Sequence, residues 1–459
     1  MSVELDLRRP LRIHIVGVGG AGMSAIAEVL AGQGHRVSGS DLHGSKTVDR
    51  LRRSGIDVVI GHAAANVHGV DLVTSSPAVS ANNPELEAAR AANLVLATRG
   101  EVLAAIVRLR RTLAIAGTHG KTTTSSMLAL IARENDKSPS FMVGEALAQA
   151  GSNAWWGSDP LLILEADESY GTFASMVPAI VGITNVEPDH LDHYGTEDVL
   201  ETAFRSLLER ATEGAVIWAD DPGAARVAEG LDAWTIGTTP GVKLHVTKLQ
   251  LGRASSSFAL DLPDGSSADL VVAAAGLHNV ANASVAAVVA NLAGSSVAEI
   301  TNGLARFTGV PRRYEFRGSA NGVTFVDDYA HLPTEVASTV TAATSGGFDR
   351  IVVIFQPHRF TRIANVGADF ARSFEGADVV LVTGIYPAGE APIAGVTSKI
   401  VTDVVTASGT VPQVLGVSTL DEAVEAALPL LQPGTLCLTL GAGDSTTLPD
   451  RLLARLEQR

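Results

Sequence analysis

Three α/β domains in series, each built on a mostly parallel sheet, are predicted by three observations. Val/Ile-rich runs alternate with Ala/Leu-rich helical runs along the chain, the pattern of strands joined by crossover helices. Twice an apolar strand runs straight into a glycine turn and then a helix, at Gly17–Gly22 and at Gly117–Thr122. The pattern then resets near Pro311-Arg-Arg-Tyr-Glu-Phe-Arg317 and restarts with Gly322-Val-Thr-Phe-Val-Asp-Asp328. The chain has 459 residues, enough for three domains of roughly 100 to 200 residues each. The boundaries expected are 1–107 for a Rossmann-like domain, 108–313 for a central P-loop-type ATPase domain and 314–459 for a second Rossmann-like domain.

Net charge is −15, so broad attraction to nucleic acid or anionic lipid is not expected and anionic ligands must be held locally. The single cysteine, Cys437, sits in an apolar strand-like run; no internal disulfide is possible, and a reducing, cytoplasmic location is expected. The first ten residues mix acids with hydrophobes and lack the apolar core of a signal peptide. Leu270–Ala298 has no Asp, Glu, Lys or Arg, but it is rich in Ala, Gly and Ser and contains His278, Asn279, Asn282 and Asn291. It reads as strand, turn and buried helix rather than a membrane span.

The first module opens with the strand Leu11–Val16, the turn Gly17-Val-Gly-Gly-Ala-Gly22 and a helical run from Met23 to Leu30. Gly17 permits the tight turn, Gly19 lets a phosphate approach the backbone, and Gly22 allows close packing of helix on strand. A second strand, His35–Gly39, ends at Ser40-Asp41, about where a ribose-binding acid stands. These features favour a nucleotide diphosphate without naming it. Val73–Val79 reads as a strand leading into a small-residue loop. A charged helix is expected over Arg99–Arg111.

The second module begins with the strand that ends in Gly117-Thr-His-Gly-Lys-Thr122. Its glycines turn backbone N–H groups toward phosphate, Lys121 brings charge to the outer phosphates of ATP, and the Thr122 hydroxyl suits Mg²⁺. Against the full Gly-x4-Gly-Lys-Ser/Thr pattern the loop is two residues short, with Ile115 where a glycine would stand. Two buried strands follow, Leu161–Leu164 and Ala179–Ile183. The first delivers Glu165-Ala-Asp-Glu-Ser169 and the second Thr184-Asn-Val-Glu-Pro-Asp-His-Leu-Asp-His193. Carboxylates suit Mg²⁺, and one imidazole completes a second site when two metals flank a triphosphate. Glu165 also fits a capping role, and His190 a solvent-facing one. Residues 243–272 alternate polar and apolar around Pro263-Asp-Gly265, which predicts an antiparallel appendage. Gly276-Leu-His-Asn-Val-Ala-Asn282 then opens a helix, with Asn279 a candidate N-cap and His278 and Asn282 able to face a ligand.

In the third module the strands expected at 322–328, 350–355, 378–382, 411–415 and 435–440 carry polar segments at their ends: Asp327-Asp-Tyr-Ala-His331, Gln356-Pro-His-Arg-Phe-Thr-Arg362 and Tyr386-Pro-Ala-Gly-Glu390. Arg359 and Arg362 beside His358 suggest a fork for a carboxylate.

In their order along the chain, the Gly17–Gly22 turn, Gly-Thr-His-Gly-Lys-Thr, Glu-Ala-Asp-Glu-Ser, Glu-Pro-Asp-His-Leu-Asp, Gly-x-His-Asn-x-x-Asn, Asp-Asp-Tyr-x-His and Gln-Pro-His-Arg-Phe-Thr-Arg resemble the Mur ligases. The last motif, with Tyr-Pro-Ala-Gly-Glu, is similar to the branch that adds L-alanine to UDP-N-acetylmuramic acid, the first step of the peptidoglycan stem peptide. The resemblance spans nearly the whole chain. It implies an ATP-dependent ligase of cell-wall synthesis, using Mg²⁺. The lactyl carboxylate attacks the γ-phosphate of ATP, and the alanine amine then attacks the acyl phosphate.

By motif match, the UDP-sugar would lie on Gly17, Gly19, Gly20, Gly22, Met23, Ser40, Asp41, Ser75 and Ser76. ATP would contact Gly117, Thr118, His119, Gly120, Lys121, Thr122, Thr123, His278, Asn279, Asn282, Arg313 and Asp328. The metal would be held by Thr122, Glu165 and His190, and the amino acid by Tyr329, His331, His358, Arg359 and Arg362. Lys121, Glu165, His190 and His331 would be catalytic, with closure of the third domain bringing the amine to the acyl phosphate. The expected partners are the two substrates, with no nucleic acid and no membrane insertion, and the chain would be a monomer or a homodimer.

This sequence departs from the family pattern in three places. Glu201–Arg210 lacks the lysine that later-acting relatives carbamylate, Leu332 stands where a second histidine is common, and Tyr170 stands where an acid is common. Three other readings remain open: a ligase that recycles peptides, an oxidoreductase built on the first module, and a non-catalytic UDP-binding regulator.

Overall fold

Most of the strands are continuously buried apolar runs, as parallel strands covered on both faces are, and they assemble into three sheets. The computed structural model describes residues 5–147 and 150–458, apart from the side chains of Tyr170 and Asp192. The expectation about the N-terminus therefore falls partly on residues outside the described set, and the side chain of Tyr170 lies outside it as well.

The first sheet comprises β1 (Arg12–Val16), β2 (Arg36–Asp41), β3 (Asp57–Ile60), β4 (Leu72–Ser75) and β5 (Val95–Thr98). Its order is β3-β2-β1-β4-β5 and every pairing is parallel. The order reverses between β1 and β4, so a crevice opens at their carboxyl ends, where doubly wound sheets take ligands.

The second sheet contains β6 (Arg111–Ala116), β7 (Ser140–Leu147), β8 (Ser152–Trp155), β9 (Leu161–Glu165), β10 (Ile180–Ile183), β11 (Gly214–Trp218), β12 (Trp234–Gly237), β13 (Leu244–Leu251), β14 (Ser256–Asp261) and β15 (Ser267–Val272). The order is β15-β14-β13-β12-β11-β10-β6-β9-β7-β8. β6 lies between β9 and β10, parallel to both, so the glycine loop after β6 emerges between the two polar segments expected to face phosphate.

The third sheet joins β16 (Glu315–Ala320), β17 (Val323–Asp328), β18 (Arg350–Phe355), β19 (Val379–Val382), β20 (Gln413–Gly416) and β21 (Thr435–Leu440) in the order β16-β17-β21-β18-β19-β20. β16 is antiparallel to β17 and the remaining pairings are parallel. Along β18, Ile351, Val353 and Phe355 pack to one face with Phe370 and Phe374, while Val352 and Ile354 pack to the other with Leu448 and Leu452. Both faces are therefore covered by helices, as a parallel sheet requires. Cys437 is part of the second of these cores, and burial pushes its thiol up to about 12.

Two compact units are present, one of Met1–Lys248, Ala259–Leu270 and Ala281–Phe307, the other of Leu249–Phe258, Val271–Val280 and Thr308–Arg459. Two local expectations change. The helix after β5 ends at Val107, and Arg111 already belongs to β6; Val102–Val107 are all buried, so this is a core helix rather than a charged one. The helix expected near 279 starts at Leu277. Asn279 is therefore inside it and not its cap, and its Nδ2 donates to the Ala275 carbonyl at 2.8 Å.

Candidate active site

Two helices of the first unit begin at glycines and have no side-chain cap and no acid in their first turn: Ala21–Gly32 after Gly20, and Lys121–Ala132 after Gly120. Other helices of this unit are closed at their starts, at Thr98 and Ser296 with capping boxes and at Asn83, Thr196 and Asp221 with accepting side chains. An uncapped start leaves N–H groups and the positive end of the helix dipole facing outward, a site for an anion.

At the first of these turns Gly17 has φ of +76° and donates its N–H to the Ser40 carbonyl at 2.8 Å. A Cβ at Gly17 would meet Ser76 at 3.1 Å and Val79 at 3.0 Å. Asp41 accepts the Gly19 N–H at 2.8 Å. Met23 is buried one turn into the helix. The Ser40 hydroxyl donates to the fully buried Glu85 at 2.6 Å and lies 3.0 Å from His62 Nδ1. Gly22 is close to a side chain that sequence reasoning did not include: a Cβ there would lie 2.8 Å from Nη2 of Arg99.

The second turn is clamped by the end of β10. Asn185 Oδ1 accepts the His119 N–H at 2.7 Å, Thr184 Oγ1 donates to the His119 carbonyl at 2.5 Å, and the Glu187 N–H donates to Thr118 Oγ1 at 2.9 Å. Gly117 and Gly120 have φ of +132° and +78°; side chains there would run into Thr184 and Asn282 respectively. Thr118 and His119 thus shape the loop, and Asn282 stands against its last glycine.

Lys121 Nζ donates to the carbonyls of Gly117 at 2.6 Å and Thr118 at 3.0 Å, and to both oxygens of Glu168 at 2.9 and 2.8 Å. Burial opposes its charge, but attraction to Glu168, Asp167 and Glu165 carries its pKa above the ordinary value. Thr122 Oγ1 donates to Glu165 Oε1 at 3.0 Å, while Glu165 Oε2 accepts the Gly144 N–H at 2.6 Å. Thr123 is buried in the same first turn.

His190 Nε2 lies 3.9 Å from Oε1 of Glu168, the carboxylate that also holds Lys121. One ligand atom each of Asp167, Glu168 and His190 fall within 4.8 Å of one another. His190 is a non-glycine residue with φ of +53°, backbone strain of the kind held at functional sites. Hard oxygen donors with one imidazole fit Mg²⁺. Thr122 and Glu165 form one set of donors, and Asp167, Glu168 and His190 another. Sequence reasoning did not assign Asp167 and Glu168 individually; their signal is the acid cluster that follows β9.

In the second unit, rings collect at the carboxyl ends of the third sheet's strands. Tyr329 and His331 are 5.3 Å apart between centroids, His331 and His358 5.6 Å, and His358 stacks on Tyr386 at 5.6 Å. Arg359 Nε donates to Glu390 at 2.7 Å, and Arg362 Nη1 lies 3.0 Å from His358 Nδ1. Arg359 is thus bonded to Glu390, and Arg362 lies against His358. Arg359 has φ of +69° and donates its N–H to the Tyr386 carbonyl at 2.8 Å. Tyr386 and Glu390 complete this group, and their signal in the sequence is Tyr-Pro-Ala-Gly-Glu. Asp328 accepts from the Tyr314 and Ala330 N–H groups at 2.6 and 2.7 Å; burial lifts its carboxyl to about 6, with Arg313 opposing. Arg313 lies over the Tyr329 ring, 4.9 Å from its centroid. His278 is half-buried and lies 3.0 Å from Asn279.

Burial, with His331, Arg362 and Arg359 adding to it, holds His358 down at about 4. The unfolded chain takes up this proton near 6.5 and the folded one resists it. The stability contributed by neutral His358 is therefore full above that value and is lost as pH falls from 6.5 toward 4. An NMR titration of its ring is expected to show a midpoint near 4; a midpoint near the ordinary value would mean the ring is solvated and does not pack between His331 and Tyr386.

Compared with known proteins, the chain matches the Mur ligase family in three consecutive stretches: the family's catalytic domain over residues 12–111, its middle domain over 115–290 and its glutamate ligase domain over 312–443. It is 40% identical to the UDP-N-acetylmuramate–L-alanine ligase of Thermobifida fusca, over 97% of this chain and 96% of that one. The enzyme of the same name from Nitratidesulfovibrio vulgaris is 41% identical, over 96% and 98%. Among solved structures, the UDP-N-acetylmuramate-alanine ligase of Thermotoga maritima superposes with a TM-score of 0.79 at 28% identity, covering 98% of this chain and 99% of that one. A murein peptide ligase from Psychrobacter arcticus shares the fold, with a TM-score of 0.67 at 24% identity over 98% and 99%. With two glycine-opened helices, an acid cluster around Lys121 and matches along nearly its whole length, this chain belongs to the Mur ligase family.

Proposed function

We propose that this protein is an ATP-dependent ligase that joins L-alanine to the lactyl carboxylate of UDP-N-acetylmuramic acid, forming ADP, phosphate and an amide. The observation that carries this reading is the Lys121 environment: a part-buried, charged lysine at the mouth of a glycine loop, held by a carboxylate that an incoming triphosphate can replace. The relatives that bear this enzyme's name at about 40% identity along their full length support the choice of branch.

In this reading the lactyl carboxylate attacks the γ-phosphorus, ADP leaves, the alanine amine attacks the acyl phosphate, and phosphate leaves. Lys121 exchanges Glu168 for phosphate oxygens and offsets charge as it moves toward the leaving ADP, where phosphoryl transfer needs most help. The open start of helix Lys121–Ala132 contributes N–H donors that need no reorganisation. Mg²⁺, when bound at Thr122 and Glu165 or at Asp167, Glu168 and His190, supplies further charge neutralisation. The UDP diphosphate lies on the Gly17–Gly22 turn, as a dinucleotide does in folds of this shape.

Arg359 and Arg362 receive the alanine carboxylate, with Tyr329, His331 and His358 around it. His331 Nδ1 faces the Tyr329 carbonyl at 2.9 Å and Glu335 at 3.2 Å. Both are acceptors, so the ring proton belongs on Nδ1 and Nε2 is the nitrogen able to take a proton from the amine. Among the described residues no helix is long and apolar enough to cross a membrane. The substrates, ATP and a nucleotide sugar, assign the enzyme to the cytoplasm. We place the domain boundaries near 107 and 313, a division that the three separate sheets support.

The test is phosphate release from Mg-ATP with UDP-N-acetylmuramic acid and L-alanine, glycine, L-serine, a tripeptide or no amine. Alanine-dependent release is expected. Release with the tripeptide alone would move the chain to peptide recycling, and no release with any amine would remove the ligase reading.

A further inference from the structure

Arg99 is the first residue of the helix Arg99–Val107, which is closed at its start by the reciprocal Thr98–Glu101 capping box. A cation at the N-terminal end of a helix opposes the dipole, so something else must favour it there. The side chain is 19% exposed and its guanidinium fills the place a side chain would take at Gly22, 2.8 Å from an ideal Cβ to Nη2 and 3.0 Å to Cζ. Nε is buried and has no hydrogen-bond partner. Among the described residues its hydrogen bond is the one from Nη2 to Asp167, at 3.4 Å, long for a charged pair that closes at about 2.7 to 2.9 Å. Among the described residues four of the five N–H donors of the guanidinium are therefore uncommitted beside Gly22, the last glycine of the phosphate turn. On the other side of that turn Asp41 holds the Gly19 N–H, and its negative charge repels an anion unless a cation stands near.

We propose that Arg99 is a ligand of the UDP-sugar: its guanidinium binds the diphosphate at the open end of helix Ala21–Gly32, exchanging the long bond to Asp167 for phosphate oxygens. This rests on the reading of the Gly17–Gly22 turn as the UDP-sugar site. It also gives Gly22 a further reason to be small: Arg99 occupies the space a side chain would take there.

The experiment measures binding of UDP, uridine and UDP-N-acetylmuramic acid to the full chain, by calorimetry for the diphosphates and by competition NMR for uridine. Arg99→Ala is expected to weaken UDP and the UDP-sugar on the order of 10- to 100-fold, the loss of charge-assisted bonds to one anion, and to leave uridine unchanged. Arg99→Lys is expected to recover part of the loss, since it keeps the charge without the fork. UDP binding unchanged in Arg99→Ala, or uridine weakened as much as UDP, would overturn the proposal. If Arg99→Ala does not fold, Arg99→Lys decides alone: UDP weakened with uridine kept supports the proposal, and both unchanged overturn it. A wild-type chain that binds no UDP-sugar would instead overturn the reading of the turn itself.

Discussion

Replacing Lys121 with alanine is expected to lower ADP formation by at least about 1,000-fold while UDP-N-acetylmuramic acid still binds, because the substitution removes the one mobile positive charge at the phosphate loop and touches nothing at the Gly17–Gly22 turn. The structure also warns of a side effect. Glu168 is 2% exposed and takes Lys121 through both its oxygens. Deleting the lysine leaves the buried Glu168 carboxylate with His190, 3.9 Å away, as its remaining ion-pair neighbour among the described residues, and breaking a buried pair costs about 3–5 kcal/mol. Loss of turnover in Lys121→Ala alone could therefore come from a loosened loop. The double variant Lys121→Met/Glu168→Gln removes both charges and keeps the volume, so it is expected to regain thermal stability without regaining ADP formation. Turnover is read by coupled ADP release, and binding of the UDP-sugar by calorimetry. If the double variant turned over ATP, Lys121 would be a structural residue only. If Lys121→Ala folded but failed to bind the UDP-sugar, the assignment of the two glycine turns to two ligands would be wrong.

The parts of this site legible in the sequence are those fixed by short-range geometry. A glycine turn between strand and helix needs its glycines at set spacings, so Gly17, Gly117 and Gly120, all with positive φ, can be placed from the sequence alone. The buried parallel strands β9, β10, β18 and β21 are nearly continuous apolar runs and can be recognised for the same reason. Strands that alternate less cleanly are harder to see: β5 is exposed at three of its four residues, β7 and β8 pair antiparallel with a shift of register, and β16 carries a bulge near Gly318. Partnership between distant residues is not encoded in any local window. The pairing of Lys121 with Glu168 spans 47 positions and that of Arg99 with Asp167 spans 68. Each depends on β9 lying beside β6, a fact of sheet order. For the same reason the Arg359–Arg362 spacing suggests a shared fork, whereas the fold sends one arginine to Glu390 and the other to His358.

That division between the two arginines sets the expectation for Arg359→Ala. The Arg359 guanidinium is already bonded to a carboxylate, so its site has the geometry to hold one, and the carboxylate of alanine competes with Glu390 for it. Charge-assisted bonds from one guanidinium are each worth about 1.5–3 kcal/mol. Their loss is expected to raise the alanine KM on the order of 10- to 100-fold, with the KM for ATP little changed, because the bonds of Arg359 run to Glu390 and Tyr386 within the second unit. The fold is expected to survive, since Glu390 keeps the Thr361 hydroxyl at 2.6 Å and the Thr361 N–H at 3.0 Å. Alanine at 359 carries no more backbone strain than arginine does, as both are L-residues at a φ of +69°. Initial rates at varied alanine and varied ATP, with a melting curve for each variant, separate the possibilities. Equal rises in both KM values would show that residue 359 supports the enzyme as a whole. A rise for alanine alone would leave Glu390 as the group an incoming amino acid must displace, and Glu390→Gln, which weakens that competition, is then expected to lower the alanine KM.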